Sequence, residues 1–77
     1  MNKQRRKAIE DIIEELTDLM DRANDVNTEE QEAYDNLPEG IQNSERGEAM
    51  SDNVSDLEDT YSSIEDAINS LQEILDR

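Results

Sequence analysis

The sequence predicts an all-α fold: an antiparallel two-helix hairpin, with helices at about 4–36 and 44–76, that assembles as a homo-oligomeric helical bundle. Three observations lead there. Apolar residues recur every seven positions in both halves of the chain, a helix-loop-helix break sits between the halves, and neither half alternates as a strand does. With 77 residues there is room for one domain, read as 1–77, and a chain of that length buries little apolar surface by itself.

In the first half, Ile9, Leu16, Ala23, Glu30 and Leu37 recur every seven residues, as do Ile12, Leu19, Val26 and Ala33. This is an a/d heptad with one conspicuous substitution, Glu30 at an a position. Ile13, Met20 and Tyr34 widen the stripe on the adjacent e position. "DVNTEE" at 25–30 contains a fair capping pair, but the heptad phase runs through it unbroken, so a single helix is expected. In the second half Met50, Leu57, Ile64 and Leu71 form one heptad line and Val54, Tyr61, Ile68 and Leu75 the other, with Ala67 and Ile74 beside them.

The break is "LPEGIQN". Pro38 disfavours helical geometry at Leu37 and removes a backbone donor. Gly40 is available for a positive φ. Ser44 or Asn43 can cap the second helix, and Glu45 in its first turn suits the helix dipole. So short a connection implies antiparallel neighbours. Folding the chain about it sets Ile9 against Leu71, Leu16 against Ile64, Leu19 against Tyr61, Glu30 against Met50 and Ala33 against Gly47. The stem near the termini is dense in Ile and Leu, whereas the half near the loop is thin. Stripes three heptad positions wide exceed what one partner helix covers. Ile13, Met20, Ala67 and Ile74 are therefore expected to be partly exposed until a second hairpin covers them.

Composition excludes much chemistry. There is no Cys, so no disulfide or thiolate metal site, and no His, the commonest general base and metal ligand. No triad or phosphate-binding loop is present. In "DNVSDLEDTYSS", Val54 interrupts the alternating oxygen ligands that a calcium loop needs. The carboxylate pairs of "DIIE" and "ELTD" have the spacing used by magnesium-dependent pyrophosphatases, but most carboxylates fall outside the apolar seam. We expect no enzyme, no metal and no cofactor. No apolar run approaches the roughly 18 residues of a membrane span, and "AIEDIIEEL" lacks the uncharged core of a secretory signal.

Net charge is −15, and the distribution is uneven. Lys3, Arg5, Arg6 and Lys7 cluster at the start; after them only Arg22, Arg46 and Arg77 oppose all 22 acidic residues, a body charge of −19. Such a body repels nucleic acid and anionic membrane and attracts basic partners. Glu10, Asp11, Glu14, Glu15, Asp18, Asp21 and Asp25 line the outside of the first helix, and Asp52, Asp56, Glu58, Asp59, Glu65 and Asp66 that of the second. A solvated, solubilising face explains them. So does mimicry of a nucleic-acid backbone, since a rod of roughly 50 Å matches a duplex presenting roughly 29 phosphates. The basic start is expected to pair with Glu73 and Asp76 beside the negative end of the second helix.

The candidate binding residues are Glu30, Tyr34, Asn36, Gln42 and Arg46, gathered near the loop. A Glu30–Arg46 pair serves as a register device. Alternatively an arginine fork, a phenol and amides make a recognition site for a phosphate, a base edge or a protein loop. Gly47 opposite Ala33 would let the backbones approach.

The stretch "EEQEAYDNLPEGIQNSERGEAM" followed by "LEDTYSSIEDAINSLQEIL" resembles small acidic helical proteins of bacteriophages and prophages. Tyr34, Asn36, Pro38, Gln42, Ser44, Arg46, Gly47 and Glu48 carry the resemblance most specifically. It implies a phage context, the cytoplasm of an infected bacterium and a helical hairpin. Small acidic phage proteins are often counter-defence factors, an association by context rather than by site. The leading expectation is a non-enzymatic protein that binds itself and a host defence protein with a basic surface. One alternative is an oligomeric sponge for a small nucleotide signal at the Tyr34/Arg46 end. Another is a virion structural or assembly factor.

Overall fold

The computed structural model describes all residues, Met1–Arg77, with no strand. Helix α1 spans Lys3–Asp35, a single turn α2 spans Glu39–Gln42, and helix α3 spans Glu45–Asp76. Helices α1 and α3 pack side by side as a hairpin. The result is a rod of 58 × 15 × 13 Å with a radius of gyration of 17.4 Å, where a globular chain of this length would have about 11.5 Å. No helix is long and apolar enough to cross a membrane.

Each boundary has a local cause. Asn2 caps α1, its side-chain oxygen accepting from the Arg5 N–H at 2.8 Å. The helix runs through "DVNTEE" without interruption. It ends at Asn36, whose N–H bonds to the Glu32 carbonyl. Pro38 is extended at ψ 145° and opens α2, its carbonyl accepting from both Ile41 and Gln42. Ser44 is extended in turn and caps α3 by accepting from the Gly47 N–H. The turn is built without any positive φ, so Gly40 does not take the left-handed conformation its sequence context offered.

The seam of α3 is the one its heptads predict: Met50, Val54, Leu57, Tyr61, Ile64, Ile68, Leu71 and Leu75 are its covered apolar positions, with Ile74 beside them. The seam of α1 is not. Its half-buried residues are Arg6, Ile9, Ile13, Leu16, Met20, Ala23, Asn27, Glu30 and Tyr34, with Leu37 following just beyond its end, so the a and e positions face α3. Ile12, Leu19 and Val26, assigned above to the seam, point outward at 43, 46 and 52% exposure. Ile13 and Met20, expected at the edge, lie inside. Steps of four then three residues repeat every seven just as steps of three then four do. Periodicity therefore leaves the choice open, and the packed helices take the a and e lines.

The loop half is thin in large apolar residues, as read above, yet it holds the buried positions. The two buried residues of the chain, Gly47 and Val54, are both there, Val54 with 8% of its surface exposed. The short α2 packs against the start of α3. A methyl group at Gly47 would lie 2.1 Å from the Gln42 carbonyl oxygen and 2.6 Å from that of Ile41. The close approach that requires glycine is therefore to the end of α2, not to Ala33. At the other tip, Arg6 donates to the Leu75 carbonyl at 2.6 Å, satisfying one of the free acceptors that end α3. Lys7 pairs with Asp11 in its own helix at 2.6 Å, and neither Glu73 nor Asp76 forms an ion pair. The basic start meets the negative end of α3 as predicted, but through a backbone carbonyl.

Candidate functional site

The predicted site residues divide between two sides of the rod. Glu30 faces a shallow groove of about 500 Å³ between α1 and α3, together with Val26, Glu29, Asn53, Asp56 and Thr60. There Glu30 Oε2 accepts from the Asn53 amide at 2.8 Å. Asn53 lies almost one turn beyond Met50, the predicted partner of Glu30. Glu30 is the one acidic side chain that is even half covered, and the amide bond lets it sit at a seam position without a cation.

Tyr34 and Gln42 meet on the opposite side. Gln42 donates its amide to the Tyr34 carbonyl at 3.2 Å, bridging the end of α1 to α2. The hollow around them is lined further by Asn43, Gly47, Glu48, Ser51 and Asp52. Its only charges are the two carboxylates, so it suits a cationic or neutral hydrogen-bonding group rather than a phosphate. Asn36 is exposed and closes α1 through its backbone.

Arg46 belongs to neither group. Its side chain is exposed, lines neither hollow and makes no ion pair. The expected Glu30–Arg46 pair is not formed, because Glu30 has turned to Asn53 instead. The lines along the seam drew attention to Glu30 and Tyr34 but not to Glu48, Ser51 or Asp52. Those three follow the loop and come beside Tyr34 only once α2 has turned the chain. A signal for them existed in Gly47, since a glycine in the first turn of a helix marks something packed against that turn.

The charge outside these hollows dominates the molecule. Apart from Glu30, every acidic side chain is exposed. One salt bridge, Lys7–Asp11, is present. The hydrogen bond to Asp11, followed by that carboxylate's charge, raises the Lys7 pKa. Both partners are more than half exposed, so solvent screens the pair and it contributes little stability. No three carboxylates converge as a metal-binding group. The chain matches no protein-family model, no curated protein and no solved structure.

Proposed function

We propose that this chain is a non-enzymatic counter-defence protein of phage origin that binds a host defence protein by presenting a surface charged like a nucleic-acid backbone. It acts in the infected bacterium as a homo-oligomer. The observation that carries this reading is the exposure of nearly all 22 acidic residues along a 58 Å rod whose cations are mostly gathered at one tip. Duplex DNA of that length carries about 34 phosphates. One hairpin has a net charge of −15 and two have twice that, close to the charge of the duplex. A basic groove shaped for a duplex would be attracted to such a rod over several ångströms of solvent and would lose that attraction as salt is raised.

The alternative of nucleotide sequestration has weaker support. It needs Arg46 beside Tyr34, and the hollow at Tyr34 holds Glu48 and Asp52 in its place. An assembly role in the virion draws on no specific feature of the surface.

The test is retention of host proteins on the immobilised chain, from a lysate of a defence-bearing strain, together with plaque counts with and without the gene. We expect a basic nucleic-acid-handling protein to be retained, released by salt and displaced by duplex DNA, and plaque counts to rise when the gene is present. No retained protein together with unchanged plaquing would overturn the proposal. Calorimetry with cyclic dinucleotides should give no binding heat; a signal lost in Arg46→Ala would favour sequestration.

A further inference from the structure

We infer that the outward line Ile12, Leu19 and Val26 is the interface with a second copy of this chain, and that the two hairpins pack antiparallel about a two-fold axis at Leu19. The inference rests on the self-association proposed above and adds its surface, its symmetry and its register.

The face is defined by the seam. Because positions a and e of α1 are used against α3, the whole d line is left on one flank. Val26 shares its groove with Asn53 and Thr60. Seven-residue steps from those two lead to Ala67 and Ile74, and from Val26 to Leu19 and Ile12. The flank therefore carries an aliphatic line on α1 beside the uncharged Asn53, Thr60, Ala67 and Ile74 on α3, with the carboxylates of Glu29, Glu30 and Asp56 lining its loop-side groove. On the opposite flank α1 presents Glu10, Thr17, Asn24 and Gln31, with no aliphatic line.

Two quantities point to a second copy as the occupant. The chain exposes 5764 Å², about 1,000 Å² more than a compact protein of its mass. A standard interface buries about 800 Å² on each partner, so one such face would absorb the excess. Charge then selects the direction. With loops at the same end, the two basic tips would lie together, as would Glu29 and Asp56 of both copies. With the hairpins reversed, Leu19 meets the partner's Leu19 and Ile12 meets the partner's Val26. Arg22, the one cation in the body of α1, then faces the partner's Glu15. Arg5, on the same line as Ile12, comes beside the partner's Glu29. Leu19 is also the midpoint of α1, so this register overlaps the two rods along their full length.

The chain has no cysteine, so single cysteines report the arrangement directly. In the mild-oxidation experiment, Leu19→Cys should cross-link to itself in high yield. Ile12→Cys and Val26→Cys should each remain single alone and cross-link when mixed, since a disulfide requires Cα atoms within about 7 Å. Arg22→Glu should raise the dimer dissociation constant about tenfold, the effect of losing opposite charges across an interface, and Glu15→Arg in the same chain should restore it. A single-chain mass by light scattering at every concentration would overturn self-association itself. Self-linking of Ile12→Cys, or Leu19→Cys linking only to a cysteine placed on α3, would overturn the antiparallel register. Neither outcome bears on whether a host protein is bound.

Discussion

The stem and the loop end of this rod are built on opposite principles. The stem has the large aliphatic residues, yet none of them is fully buried, because a two-helix layer covers only one side of each helix. The loop end has smaller and more polar residues, yet it contains Gly47 and Val54, the two buried positions of the chain. At Gly47 a third element makes the difference, whereas Val54 is covered within the seam of α1 and α3. The single turn α2 folds against the first turn of α3, and the chain there is enclosed from two directions. At Gly47, burial follows the number of elements around the residue rather than the size of its side chain. The stem, with its aliphatic surplus, is thus the part to which the proposed second copy would add cover.

The sharpest way to break the loop end is Gly47→Ala. Inside an ordinary helix this exchange is favourable by about 1 kcal/mol. Here the methyl group would overlap the Gln42 backbone, so we expect a loss of about 3 kcal/mol, as for overpacking of a tight contact. Urea denaturation followed by circular dichroism measures it, and a gain in stability would mean that α2 does not pack as described. At the junction of the two regions, Asn27→Leu should act the other way. The Asn27 side-chain oxygen is covered by the seam and has no partner. Removing that orphan acceptor and adding apolar volume should stabilise the hairpin by about 1–2 kcal/mol. Chemical denaturation that shifted to lower urea would show that Asn27 is satisfied by something else. The smallest effect belongs to Gly40→Ala. Gly40 has a negative φ and open space around its Cα, so a gain of about 0.5–1 kcal/mol is expected from the unfolded state alone. Two glycines seven residues apart should therefore respond with opposite sign.

Much of this was legible in the sequence and some was not, for identifiable reasons. The two long helices, the break at Pro38, the Ser44 cap and the whole seam of α3 follow from heptad spacing and turn chemistry. On α1 two heptad lines, one through Ile12 and Leu19 and one through Ile13 and Met20, flank the same a positions. Periodicity ranks them equally, and only the packing of the two helices separates them. The turn α2 was hidden because "EGIQ" is too short to show any period. Tyr34 and Gln42, both placed near the loop by the sequence, are joined by a hydrogen bond, whereas Arg46, expected among them, is exposed and lines neither hollow. Glu30 was read correctly as an anomaly at a seam position and wrongly as an ion pair, since an amide one turn further along serves as well as a guanidinium.

The central structural claim is that α1 has one line of aliphatic residues facing α3 and another, one residue away, facing outward. The most direct measurement compares Ile12→Glu with Ile13→Glu by circular dichroism and light scattering, at low temperature with an excluded osmolyte to support the single hairpin. Ile13→Glu places a charge in the seam and should lose its helical signal, a destabilisation of about 3 kcal/mol or more. Ile12→Glu should keep the helical signal and scatter as a single chain of 8.8 kDa, where the proposed interface has the unsubstituted sequence scatter as two. Equal loss of helix in both variants, or loss in Ile12→Glu alone, would contradict the assignment of the two lines.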